Sequence, residues 1–369
     1  MSGELSARPL RVGLIGLRHL HPRAYMAAFR TAGGWQVCAA AETDPEVREG
    51  FARDFRVAAY RDWREMLERE ELDLAAIFLP HAECPEAAAV CAEHGLHAMV
   101  EKPMAAASRD LVRAIEAARK AGVILTAPYV WRCHPVVRQM KGFLERGILG
   151  QVVGCEGRCA AGRVHRYLEG KAGWMLERRL SGGGPMFNLG VHWIDLFRWL
   201  LEDEVVEVTA KNVKVNPAYD IEDNSFALAV FSRGTVAALD ISYTVPDSYP
   251  HGRDLYLGLR GTRGVLAWSP SFEGVREKLF VCSDAAEFAR APRREIHFEL
   301  EAVEGYGGVM GLEYLRALEQ AIREGTAPPV TAEDGLRAIE VAEAIYESAE
   351  TGRTVRLGSK QDREASGQA

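Results

Sequence analysis

The stretch LRVGLIGL, residues 10–17, decides the fold. It is a short, apolar, β-rich run stopped by Gly16, and Pro22 follows at a position suited to the first turn of a helix. Strand, tight turn and helix come in succession. The helix runs to Ala32 and stops at Gly33-Gly34; a second apolar strand, Trp35–Ala41, ends in Glu42, and another helix-like segment starts after Asp44-Pro45. The same grammar repeats through strand Leu74–Leu79, helix Glu86–His94, strand His97–Val100, helix Arg109–Ala121 and strand Val123–Ala127. Gly95 and Gly122 stand where helix C-caps belong. Strands that are apolar without polar alternation, each followed by an amphipathic helix, indicate a parallel sheet covered on both faces. Residues 9–128 therefore read as a doubly wound α/β domain.

After Tyr129 the pattern changes. A helix over Val136–Arg146 leads to strand-like runs at Val152–Ala161, Val205–Val215, Ser225–Phe231, Thr235–Thr244, Leu255–Leu259 and Gly264–Trp268. Helices interrupt or close this series at Asn188–Leu201, Val309–Glu324 and Glu333–Glu350. Short polar connections such as Ser232-Arg233-Gly234 indicate antiparallel neighbours, so residues 129–358 read as an α+β domain. The tail 359–369, SKQDREASGQA, has a flexible composition.

The composition excludes several classes. A formal charge of −7 with no long basic run gives no nucleic-acid partner. The seven cysteines form an odd set without a CxxC pair, which argues against a disulfide framework or zinc ribbon. No apolar run approaches the ~18 residues of a membrane span, and the first residues lack a signal-peptide layout. A cytoplasmic protein is expected, with no membrane partner.

On a doubly wound sheet, ligands bind outside the carboxyl ends of the strands. A dinucleotide turn wants G-x-G-x-x-G, and here those positions read Gly16, Arg18 and His21. Only the first glycine is kept. Arg18 is either a phosphate contact or a solvated turn residue, and Glu42 either binds ribose hydroxyls or is a surface carboxylate. As a ribose ligand Glu42 repels a 2′-phosphate, which favours NAD over NADP. His19 and His21 supply two metal ligands with no carboxylate or cysteine at a convincing spacing, so no metal is expected.

At Leu96–Met104, LHAMVEKPM, an apolar strand ends in Glu101-Lys102-Pro103. Here the chain resembles the Gfo/Idh/MocA family, the glucose-fructose oxidoreductase and inositol dehydrogenase group of NAD(P)-dependent enzymes. The likeness extends through Tyr129–Gly154, through GGGPMFNLGVHWIDLFRWLL (Gly182–Leu201) and through Ala338–Leu357. It implies an N-terminal Rossmann domain and a C-terminal domain with a large, mainly antiparallel open sheet that forms homodimers or homotetramers. It also implies that Lys102 lies near the nicotinamide and the reacting carbon. Where the family usually reads D-x-G-x-H-x-x-D, this chain has Asn188, Gly190, His192 and Asp195.

The catalytic set is thus Lys102, His192 and Asn188, and the cofactor set is Gly16, Leu17, Arg18, His21, Glu42, Pro80, Glu101 and Lys102. Oxidation of a secondary alcohol needs a base for the hydroxyl proton, and histidine, with an unperturbed pKa of about 6.5, exchanges protons near neutrality. Lys102 donates to the same oxygen as charge forms on it. Asn188 in place of a carboxylate keeps a hydrogen-bonding group and loses proton-relay capacity. Arg132, His134, Trp174 and Asp195 are weaker candidates for substrate contact, each with a structural alternative. Pro103 is a candidate for a cis bond, although trans is the commoner state. The expected activity is hydride transfer between NAD and a sugar, polyol or related hydroxy compound. The alternatives are a non-catalytic dinucleotide sensor, or an NAD-dependent lyase or hydrolase working through a keto intermediate.

Overall fold

The computed structural model describes residues 8–246, 248–271 and 274–358. The tail 359–369 lies outside the described residues. The first part of the chain contains β1 (Leu10–Ile15), α1 (Pro22–Ala32), β2 (Trp35–Ala41), α2 (Pro45–Phe55), β3 (Ala58–Tyr60), α3 (Trp63–Arg69), β4 (Leu74–Ile77), α4 (Cys84–Glu93), β5 (His97–Val100), α5 (Ser108–Ala121) and β6 (Leu125–Thr126).

The six strands form one parallel sheet in the order β3-β2-β1-β4-β5-β6. That is the Rossmann order, and it reverses between β1 and β4, which opens a crevice at their carboxyl ends. Every residue of β4 is buried and β1 is nearly so, because helices cover both faces. Local chemistry sets the helix ends. Pro22 starts α1, the Asp44 carboxylate caps α2 by accepting the Glu46 and Val47 N–H groups, and Gly122 closes α5 in the left-handed conformation.

The remainder contains α6 (Pro135–Glu145), β7 (Val152–Ala161), the short helices α7 (His165–Glu169) and α8 (Arg178–Ser181), and a π-helical turn (Met186–Gly190) running into α9 (Val191–Leu201). Then come β8 (Val205–Val213), β9 (Asn224–Phe231), β10 (Val236–Ser242), β11 (Arg253–Gly261), β12 (Gly264–Trp268), β13 (Arg276–Ser283) and β14 (Arg293–Glu299). The chain closes with α10 (Val309–Glu324), α11 (Ala332–Thr351) and β15 (Val355–Arg356). Nine strands make the second sheet, in the order β14-β13-β12-β11-β7-β10-β9-β8-β15. Its pairs are antiparallel except β7 with β10.

Two compact units result. One takes 8–130, Tyr167–Trp174 and Val303–Leu336; the other takes Trp131–Arg166, Met175–Ala302 and 337–358. The expected single division near residue 128 did not foresee that two later segments join the first unit. Within the second, Trp193 of α9 fills the space above Gly157 of β7, where any Cβ would overlap the indole. The opposite sheet face is open: Phe226 and Leu228 point away from the core while Ala227, Ala229 and Phe231 point into it.

Candidate active site

The nucleotide turn begins where β1 ends. Gly16 has φ +82°, and a Cβ there would come within 3.0 Å of the Leu79 nitrogen, so conformation and space both require glycine. Gly16, Arg18, Glu42, Leu79, Pro80 and Trp174 line one pocket at the crevice. Of the expected cofactor residues, Gly16, Arg18, Glu42 and Pro80 are therefore brought together.

Glu42 is buried, and its carboxylate is occupied by the turn itself. Oε2 accepts the Leu17 N–H at 2.8 Å, Oε1 accepts the Thr43 hydroxyl and the Asp44 N–H at 3.1 Å each, and Arg18 Nε lies 3.3 Å from Oε1. A carboxylate offers about four acceptor positions, so these contacts nearly fill it. Glu42 thus stiffens a turn that lacks its second and third glycines. Trp174, read from the sequence as a weak substrate contact, lies on this turn: its indole N–H donates to the Arg18 carbonyl at 2.7 Å and its ring meets His81 edge-on.

Glu101 and Lys102 leave the end of β5, where the Glu101 N–H continues the ladder to the Ile77 carbonyl. Both are buried, with 1% and 2% exposure. Glu101 Oε1 accepts the Lys102 backbone N–H at 3.2 Å and lies 3.9 Å from Lys102 Nζ; Oε2 lies 3.3 Å from His21 Nδ1. The Lys102–Pro103 bond is cis, against the commoner expectation. His19 Nδ1 accepts the His21 N–H at 3.2 Å, and burial followed by the nearby His21 holds the His19 imidazole well below the usual histidine range. Tyr306 packs on His21 with centroids 4.4 Å apart and stacks on Tyr25 at 4.6 Å. Sequence reasoning missed Tyr306, which carries no motif and reaches the site only because Val303–Leu336 joins this unit.

In the second unit, Gly182–Pro185 leads into the π turn. The Gly184 N–H donates to the Tyr346 hydroxyl at 2.7 Å and to Glu222 Oε2 at 3.2 Å, while the Tyr346 hydroxyl donates to Glu222 Oε1. Burial pushes the Glu222 carboxyl up to about 7. Neither Glu222 nor Tyr346 was foreseen, since they lie far from the glycines they hold. Asn188 sits in the π turn, not in the single α-helix expected over Asn188–Leu201, and its side-chain NH2 donates to the Tyr243 hydroxyl at 2.9 Å. His192 follows in the first turn of α9, buried like Asn188.

The other candidates are engaged structurally. Arg132 grips Asp195 in a buried two-point pair, Nε to Oδ2 at 2.9 Å and Nη2 to Oδ1 at 2.5 Å. His134 caps α6 by accepting the Val136 N–H at 3.2 Å, packs on Trp268, and is held neutral by burial, its pKa lowered to about 4.

Residues 10–129 match an oxidoreductase-family NAD-binding Rossmann fold, and residues 141–357 match the C-terminal alpha/beta domain of the same oxidoreductase family. Among curated relatives, D-apiose dehydrogenase of Paraburkholderia graminis is 25% identical over 355 residues, covering 94% of this chain and 88% of the relative. Myo-inositol 2-dehydrogenase of Thermotoga maritima is 26% identical over 325 residues, covering 85% and 89%. A solved levoglucosan dehydrogenase complexed with NADH and levoglucosan superposes with a TM-score of 0.80 at 21% identity, covering 95% of this chain and 100% of that one. With both domain types matched in order over nearly its whole length, the chain belongs to the Gfo/Idh/MocA oxidoreductase family.

Proposed function

We propose that the protein is an NAD-dependent dehydrogenase or reductase acting on a sugar, polyol or related hydroxy compound. The observation that carries this reading is Lys102, a lysine buried to 2% exposure at the end of β5 beside the crevice of the Rossmann sheet. Lysine is almost never buried without a task or a partner, and its neighbour Glu101 is also held by His21. The dehydrogenases among the relatives, acting on apiose and myo-inositol, support the substrate class.

In this reading Lys102 Nζ donates a hydrogen bond to the reacting oxygen and stabilises charge as it develops there. His192 takes the hydroxyl proton in oxidation and returns it in reduction. Asn188 orients substrate through its amide while anchored on Tyr243. Gly16, Leu17, Arg18, Glu42 and Pro80 hold the nucleotide, and the nicotinamide, when bound, supplies the hydride acceptor or donor. The pocket fits such a group: a glycine-floored turn opens at the topological switch point, with Arg18 on its rim.

One observation favours NADP as a second reading. Glu42 is already nearly filled by the turn, while Arg18, Thr43 and Arg61 line the same pocket and suit a 2′-phosphate. We further place the protein in the cytoplasm as a homodimer or homotetramer joined through the open sheet face, where Phe226, Leu228 and Phe280 are exposed. The seven cysteines form no disulfide, and no helix among the described residues is long and apolar enough to cross a membrane.

Nucleotide titration followed by fluorescence tests the core of the reading. NADH is expected to bind more tightly than NADPH, and Lys102→Ala to lower turnover by ~100-fold or more while sparing that binding. Binding of neither nucleotide would remove the reading altogether, and tighter NADPH binding would select the second.

A further inference from the structure

We infer that His19, His21 and Glu101 form a binding site for a divalent cation of the zinc type. One ligand atom from each residue lies within 4.8 Å of the other two, and among the described residues no other trio of histidine, cysteine or carboxylate side chains does so. The carboxylate that the H-x-H spacing lacks is delivered by the sheet: β5 lies one strand beyond β4, so its end faces the turn that follows β1.

The geometry suits a tetrahedral ion. His21 Nδ1 and Glu101 Oε2 are 3.3 Å apart, which is the edge of a tetrahedron whose metal–ligand bonds are ~2.0–2.1 Å. His19 Nε2 is buried and meets no hydrogen-bond partner, a state that a buried polar atom rarely keeps without a guest. The Glu101 carboxylate divides its oxygens, with Oε1 turned to Lys102 and Oε2 to His21, so it offers the ion a single oxygen. Two imidazoles and one carboxylate oxygen favour zinc or cobalt over magnesium or calcium, which demand mostly oxygen ligands. Three protein ligands leave a fourth position for water or for an oxygen of a bound molecule.

Loading has a definite local consequence. The His21 N–H bond to His19 Nδ1 keeps the neutral ring's proton on Nε2. When Nε2 binds the ion, that proton passes to Nδ1 and the 3.2 Å hydrogen bond is given up for a metal–nitrogen bond.

The test uses the full chain, stripped with a chelator and titrated with zinc chloride by calorimetry, with cobalt absorption as a second reporter. One equivalent of zinc is expected, a tetrahedral cobalt spectrum, and no competition from magnesium. Glu101→Gln preserves shape and His21→Asn preserves a polar side chain; each is expected to weaken zinc by more than the ~10- to 100-fold that loss of an outer-shell partner costs. Circular dichroism shows whether each variant is folded, and should one histidine variant fail to fold, the isosteric Glu101→Gln carries the decision. No stoichiometric uptake, or uptake unchanged in the folded variants, overturns the inference. Because neither nucleotide nor substrate enters the measurement, its outcome is independent of the oxidoreductase reading.

Discussion

Glu222 makes the stability of the second unit fall as pH rises through neutrality. Its carboxyl is raised from 4.5 to about 7, and burial is the main cause; the donors Tyr346 and Gly184 pull the other way without cancelling it. The folded state therefore keeps a proton that the unfolded chain has already released. Between those two values the native protein binds more protons than the unfolded chain, so unfolding free energy decreases with increasing pH. Below the unfolded value the group contributes nothing; above the folded value the full penalty applies. At 1.36 kcal/mol per unit the shift amounts to roughly 3 kcal/mol, of which about 2.5 kcal/mol falls between pH 5 and pH 8. Glu222→Gln removes the titration but leaves one acceptor oxygen for two donors, so its NH2 must face either the Gly184 N–H or the Tyr346 O–H, a buried conflict of about 1–3 kcal/mol at every pH. The variant is therefore less stable than the parent at pH 5 and closes on it, or passes it, at pH 8. Urea titrations of both proteins at the two values measure this. Parallel pH dependences would refute the reasoning, because they would mean that Glu222 does not titrate in this interval.

Breaking the Arg132–Asp195 pair with Asp195→Ala takes its two-point carboxylate partner from a buried guanidinium and is expected to cost about 3–5 kcal/mol, read as a lowered urea midpoint; a loss below 1 kcal/mol would show that the pair contributes little to stability. Gly16→Ala adds a Cβ at 3.0 Å from the Leu79 nitrogen and about 1–2 kcal/mol of left-handed strain, so it should weaken NADH by roughly tenfold or more, measured by fluorescence titration. Asn188→Asp must accept the Tyr243 proton in place of donating an amide hydrogen, and we expect an intact fold with higher activity on ordinary polyols. No change on a confirmed substrate would show that the carboxylate is irrelevant there.

The parts legible in the sequence are those fixed by neighbours along the chain. LRVGLIGL with Pro22 announces strand, turn and helix because each signal sits within a few residues of the next, and β1 and α1 lie where those signals place them. β13 and β14 escaped because charge masks their alternation: β13 buries Glu277 on its inward face, and Arg293–Glu299, the edge strand of its sheet, opens with three charged residues and has no buried position. The site splits along the same line. Lys102 and His192 are proposed from short motifs, whereas the residues that hold their neighbourhoods come from remote segments. Tyr346 and Glu222 pin Gly184 from α11 and the approach to β9, and Tyr306 reaches His21 from the segment before α10. Glu42 shows the same limit in reverse. Its position at the end of β2 was plain, but its carboxylate already takes Thr43, Asp44 and Arg18 on Oε1 and Leu17 on Oε2, which leaves a ribose hydroxyl room at Oε2 alone unless Arg18 withdraws. How much of Glu42 an incoming ribose meets therefore depends on whether Arg18 stays on Oε1. Arg18→Ala discriminates: tighter NADH binding follows if the arginine competes with the ribose for Glu42, and weaker binding follows if it holds the phosphates.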